Sequence, residues 1–191
     1  MKRRAIALLA VWPALCSAEV VEPSGAANRS AGMIDERESV DPGTLLPNGH
    51  RPLPGLLTGG QPSADQLTHL ASIGFQVVVS LRAPSESAPS LAEHARTLGL
   101  SYLELPVTGA QDLDPDKVAA LGKLVVQRAE HPLVVYCASG NRAGAMLALE
   151  QAQVEGWPPE AALWVGQAAG LDQLEDEVRV LLGLPRELEQ P

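Results

Sequence analysis

Cysteine is nearly absent from this chain: among 191 residues it occurs twice, as Cys16 and Cys137. A scaffold stapled by several disulfides is therefore excluded. Aromatic residues are also scarce, with three Trp, two Tyr and one Phe. The core must then be filled by Leu, Val and Ala, which suits an α/β sandwich better than an aromatic-rich barrel, and no cofactor-stacking surface is expected. Basic residues are outnumbered, 14 against 23 acidic, giving a net charge of -9. That balance repels nucleic acid and anionic lipid, so neither is an expected partner. Long hydrophobic runs are missing as well. The stretch from Ala5 to Cys16 is too short to span ~30 Å of hydrocarbon at 1.5 Å per residue, so no stable membrane insertion is expected.

What that stretch does resemble is the core of an export signal. Lys2, Arg3 and Arg4 precede it, and Cys16-Ser17-Ala18 supplies small residues at a cleavage site. Residues 1–18 are read as a cleavable signal peptide, which places the protein in the periplasm or outside the cell. Cleavage leaves Cys137 as the lone thiol, unable to form an internal disulfide in an oxidising compartment. Residues 19–50 carry Pro, Gly, Ser and acidic residues without helical or strand period, and are read as a flexible tether.

From Arg51 to Pro191 helical segments alternate with short apolar runs. The expected fold is one three-layer α/β domain, a central four- or five-stranded, mostly parallel sheet flanked by helices. Leu56-Leu57-Thr58 is expected as a short edge strand. Ser63 and Gln66 match a capping box, as do Ser90 and Glu93. Strands are expected over Phe75–Ser80 and Tyr102–Val107. Asp114-Pro115 caps a helix running to about Glu130. Leu133-Val134-Val135-Tyr136 reads as a strand buried on both faces, and it delivers Cys137 to the carboxyl edge of the sheet.

Cys137-Ala138-Ser139-Gly140-Asn141-Arg142 lies between that strand and the next helix. Backbone N–H groups of residues 138–142 and the helix dipole converge there, and Arg142 adds a forked cation. An anion should bind in such a cup. A cysteine at a helix N-terminus beside an arginine is favoured as the thiolate nucleophile. Gly140 supplies the conformational freedom the loop needs. The four histidines, at 50, 69, 94 and 131, show no metal-ligand spacing and no tie to the cysteine, so no metal and no organic cofactor are expected. Arg82 ends a strand as Cys137 does, and is either a solvated turn residue or a second cation for the anion.

The segment from about Leu56 to Leu171 resembles the bacterial phosphatase-like family related to dual-specificity protein tyrosine phosphatases. The likeness is carried by Thr58-Gly59-Gly60-Gln61-Pro62-Ser63, Val77-Val78-Val79-Ser80-Leu81-Arg82, the Tyr136–Arg142 loop and Ala161-Ala162-Leu163 through Gly166-Gln167-Ala168-Ala169-Gly170-Leu171. It implies a sheet flanked by helices with the cysteine loop as phosphate cradle. It also implies that Cys137 attacks phosphorus to give a thiophosphoryl intermediate while Arg142 grips the equatorial oxygens. The substrate would be a phosphorylated small molecule or protein. An aspartate from another loop protonates the leaving alcohol in such enzymes, and Asp112 is the residue chosen here, Asp114 being explained as a helix cap.

The chain departs from the classical pattern in the loop itself. Four residues rather than five separate Cys137 from Arg142, Tyr136 stands where histidine is usual, and Ala143 stands where Ser or Thr is usual. A four-residue spacing is that of rhodanese sulfurtransferases, in which the cysteine carries a persulfide. Two alternatives thus stay open, a sulfurtransferase using Cys137 and a catalytically silent phosphate-binding module.

Overall fold

The computed structural model describes residues 39–86 and 88–186; the predicted signal peptide and most of the predicted tether lie outside them. Five strands form one sheet: β1 (His50–Leu53), β2 (Leu56–Gly59), β3 (Val77–Ser80), β4 (Ser101–Glu104) and β5 (Leu133–Tyr136). Their order is β1-β2-β5-β3-β4. Only β1 is antiparallel to its neighbour; β2, β5, β3 and β4 run parallel. Among the described residues the helices are α1 (Pro42–Leu45), α2 (Ala64–Ser72), α3 (Pro89–Thr97), α4 (Pro115–Val125), α5 (Asn141–Gln153), α6 (Pro159–Ala168) and α7 (Glu175–Leu181). None of the described helices is long and apolar enough to cross a membrane.

The two buried strand faces explain why β5 is apolar throughout. Leu133 and Val135 pack with α4, α5, α6 and α7 residues such as Leu121, Met146, Leu163 and Val178. Val134 and Tyr136 face the opposite layer, with Leu67, Leu70, Leu91 and Ala95 of α2 and α3. Alternate residues of one strand thus serve two cores. Cys137 continues the first set and joins the α5 side.

Capping chemistry fixes two of the helix starts. Ser63 Oγ accepts the Gln66 N–H while the Ser63 N–H donates to Gln66 Oε1, a complete capping box for α2. Asp114 accepts the Lys117 N–H at 3.0 Å and Pro115 opens α4. The expected box at Ser90 does not form: Pro89 starts α3 two residues earlier, after Ala88, which offers no capping side chain. Helix α4 also ends at Val125, short of Glu130.

The domain begins ahead of the expected boundary at 51. Leu45 and Leu46 are fully buried in the core beneath α2, so the end of the predicted tether is a folded part of the domain. The sheet is also one strand wider on that side. Leu56–Gly59 is internal, and the edge is taken by His50–Leu53, where Pro52 is tolerated because an edge strand leaves some N–H positions unpaired.

Candidate active site

Strand order brings two carboxyl ends together at one edge of the sheet. Between the parallel neighbours β3 and β5, Ser80 pairs with Tyr136, and the Leu81 N–H donates to the Tyr136 carbonyl at 2.9 Å. Arg82 therefore leaves β3 beside the point where Cys137 leaves β5. Crevices at strand carboxyl ends are where open α/β sheets place their ligands.

Cys137 is 1% exposed. Its own N–H is held by the Gly59 carbonyl at 3.1 Å, and its sulfur accepts the Gly140 N–H at 3.1 Å. Gly140, at φ 103°, is the N-cap of α5, a left-handed conformation that L side chains resist. The first N–H groups of α5 have no acceptor within the helix, so the sulfur lies at the positive end of its dipole. Ala143 is fully buried and brings no hydroxyl to the sulfur.

Arg142, beside Cys137, also reaches two other segments. Its Nη1 donates to Glu86 Oε2 at 2.9 Å and to the Val107 carbonyl at 2.7 Å, and its Nη2 donates to Glu86 Oε1 at 3.2 Å. Burial works against its charge, but the Glu86 hydrogen bond and the nearby Cys137 outweigh burial and its pKa is raised. The Glu86 carboxyl is lowered to about 2, first by the Arg142 hydrogen bond and then by the Ala83 N–H. Glu86 was not singled out in the sequence. It lies 56 residues before Arg142, in a Pro- and Ser-rich turn with no period.

The remaining predicted residues fall into place around this core. Asn141 commits its side chain to the α6–α7 connection, Oδ1 accepting the N–H groups of Asp172 at 2.9 Å and Leu174 at 3.3 Å. The Ser139 carbonyl accepts from Asn48 Nδ2 at 3.4 Å, and Ser139 bridges to Gly60. Ala138, next to the buried Cys137, is exposed. Tyr136 points away from the cysteine into the opposite core and shares a 2.6 Å hydrogen bond with the Tyr102 hydroxyl; burial raises its pKa.

Asp112 closes a 3₁₀ turn, Ala110–Asp112, in the loop that follows Val107. Its Oδ2 accepts the Thr108 N–H at 2.8 Å and the Thr108 hydroxyl, and Lys117 Nζ lies 3.3 Å from Oδ1. The Thr108 hydrogen bonds, with help from Lys117, lower its pKa to about 2. Asp114 serves as the α4 cap.

A cleft of about 710 Å³ runs along the outer side of the loop, lined among others by Asn48, His50, Ser139, Asn141, Gln167 and Asp172. Neither Cys137 nor Arg142 lines it. His50 stands against Gly170 in its wall: a Cβ on that glycine would lie 3.2 Å from Nε2. The histidine that sequence reading left unconnected thus borders the cysteine loop. Among the described residues no three of His, Cys, Asp or Glu gather as a metal site.

Residues 54–154, just over half of the chain, match the family described as beta-lactamase hydrolase-like protein, phosphatase-like domain. The chain belongs to that family. Solved structures place this phosphatase-like domain in a wider set. A DUF442 protein of Shewanella putrefaciens CN-32 is 22% identical, with TM-score 0.57, over 78% of this chain and 91% of that one. TpbA of P. aeruginosa, crystallised with pTyr in a cysteine-to-serine form, is 23% identical, with TM-score 0.52, over 76% of this chain and 94% of that one. Tk-PTP is 19% identical, with TM-score 0.56, over 71% of this chain and 96% of that one. At these identities the likeness establishes the shared fold, which is that of dual-specificity phosphatases. No curated protein sequence matches the chain.

Proposed function

We propose that this chain is a cysteine-dependent hydrolase of phosphate monoesters. The observation that carries the reading is the Gly140 N–H directed at the Cys137 sulfur, 3.1 Å away, at the mouth of α5 with Arg142 fixed beside it. An amide dipole, a helix terminus and a guanidinium together stabilise both a thiolate and a bound oxyanion. The thiolate forms an S–P bond as the bond from phosphorus to the leaving oxygen breaks. Water then attacks phosphorus, releasing inorganic phosphate and returning the sulfur.

Asp112 is the proposed proton donor to the leaving alcohol. The Val107 carbonyl that accepts from Arg142 begins the loop that ends at Asp112, so one segment touches both parts of the machinery. The carboxylate must release the Thr108 hydrogen bonds and Lys117, which hold its pKa low, to take up a proton. Phosphotyrosine, the ligand named for the P. aeruginosa structure, is the natural first substrate beside p-nitrophenyl phosphate. Export by the predicted leader is tested by cell fractionation.

The deciding assay uses the mature chain, kept reduced, with p-nitrophenyl phosphate and separately with thiosulfate plus cyanide. Hydrolysis lost in Cys137→Ser, with phosphate binding retained, is the expected result; Arg142→Ala should weaken both. The four-residue Cys137–Arg142 spacing favours the sulfurtransferase as second reading, and thiocyanate formation without nitrophenol would replace the first with it. Phosphate binding with no turnover of either kind would mark a binding module.

A further inference from the structure

We propose that Arg82 is a positioning residue, setting the anion grip of Arg142 through the turn that carries Glu86. The proposal rests on the reading of the Cys137 loop as an oxyanion cup. Its basis is a chain of contacts at the carboxyl end of β3. Arg82 Nε donates to the Glu86 backbone carbonyl at 2.9 Å. The Glu86 N–H donates to the Ala83 carbonyl at 2.9 Å, and the Ala83 N–H donates to Glu86 Oε2 at 3.0 Å. Glu86 is thereby held at its carbonyl, its amide and its carboxylate before it meets Arg142.

The choice of contact matters. Arg82 hydrogen-bonds the carbonyl of Glu86 and not its carboxylate, so it fixes the place of Glu86 while leaving the carboxylate's hydrogen bonds to Arg142. Arg82 is itself anchored, since the Leu81 N–H is bonded to the Tyr136 carbonyl and the Arg82 N–H donates to Ser80 Oγ at 3.3 Å. The result is a rigid link from the β3–β5 pair, through a short 3₁₀ turn at Pro84–Glu86, to the guanidinium beside the cysteine. Without Arg82 the turn loses the hydrogen bond that ties its Glu86 carbonyl to the end of β3. Arg142 then gains freedom that a bound anion must remove, and ordering a long side chain on binding weakens affinity. Lysine cannot replace the contact in kind, because the donor that matters is the Nε of a planar fork.

The test measures inorganic phosphate binding by calorimetry in the Cys137→Ser chain, and p-nitrophenyl phosphate kinetics in the chain with Cys137 intact. Arg82→Gln should weaken phosphate about tenfold and raise KM by a similar factor, with a smaller fall in kcat. In a Glu86→Ala background the same change should cost less than about twofold, because the link is already cut. Arg82→Lys should recover only part of the loss. Unchanged phosphate affinity in Arg82→Gln overturns the proposal, and so does a tenfold loss that persists without Glu86. Should Arg82→Gln fail to fold, Arg82→Lys with and without Glu86 carries the same comparison. Absence of phosphate binding in the parent chain removes the anion-cup reading itself, whereas equal binding by the parent and Arg82→Gln removes only the role of Arg82.

Discussion

Glu86 holds Arg142 in a two-pronged ion pair, Oε2 to Nη1 at 2.9 Å and Oε1 to Nη2 at 3.2 Å. Such parallel pairing fixes the plane of the guanidinium as well as its position. Glu86→Gln retains an acceptor oxygen but removes the charge and one prong. The expected outcome is a rise of about tenfold in KM for p-nitrophenyl phosphate. The pH dependence has a defined sign. A carboxyl lowered to about 2 contributes stability fully above its ordinary value near 4.5, and loses it as pH falls toward 2. The gap in melting temperature between the parent and Glu86→Gln should therefore be constant from pH 7 to about 5 and close below it.

Asp112 is tested by the leaving group. A p-nitrophenolate departs with little need of a proton, whereas an alkoxide needs one, and general acids contribute about 10²–10⁴ in rate. Asp112→Asn should slow p-nitrophenyl phosphate hydrolysis by less than about threefold and an alkyl phosphate by about a hundredfold. Equal losses on both substrates, with a lowered melting temperature, would instead mark a carboxylate that only ties Thr108 to Lys117 and orders the loop.

Two glycines of the same helix separate activity from stability. At Gly140 there is room for a methyl group, the nearest atom to an added Cβ being the Gly59 Cα at 3.5 Å, but φ is 103°. Gly140→Ala should thus reorient the N–H that meets the sulfur, reducing kcat/KM more than tenfold at a cost of about 1–2 kcal/mol in stability. At Gly144 an added Cβ would lie 2.6 Å from the Gly166 carbonyl oxygen, where α5 packs on α6. Gly144→Ala should cost about 2–3 kcal/mol by overpacking. Urea midpoints beside kinetics on the two variants check both expectations.

The sequence was most readable where one local signal decides the structure. The Ser63–Gln66 box and Asp114-Pro115 each name a helix start because capping is settled within four residues. The run Leu133–Tyr136 names a central strand because only burial on both faces tolerates it. The edge strand His50–Leu53 has no alternation and contains Pro52, so nothing local distinguishes it from a loop; it exists because β2 offers it a partner. Leu45 and Leu46 were hidden in the same way, two apolar residues in a polar stretch whose burial depends on α2. In the site, Cys137, Gly140 and Arg142 were legible as a contiguous loop. Glu86 and His50 were not, because their relation to that loop comes from strand order and not from spacing.

Glu150 poses the last question, since it contributes a carboxyl to the interior and no visible chemistry. It is fully buried on α5. Gln151 Nε2 donates to one of its oxygens at 2.6 Å, and the other, Oε1, has no partner. An added Cβ on Gly122 of α4 would lie 3.4 Å from that oxygen, so the carboxyl is wedged between α4 and α5. Burial raises its pKa. A carboxyl raised on folding keeps its proton longer in the folded chain than in the unfolded one. Its contribution is then most favourable below the unfolded value near 4.5 and falls as pH rises through the folded value. Glu150→Gln removes the buried charge and keeps the shape. Urea unfolding should show the variant more stable than the parent at pH 8, by about 1–2 kcal/mol, and equal to it at pH 4. A variant less stable at pH 8 would mean that the charged carboxylate is satisfied and that its burial supports the α4–α5 contact.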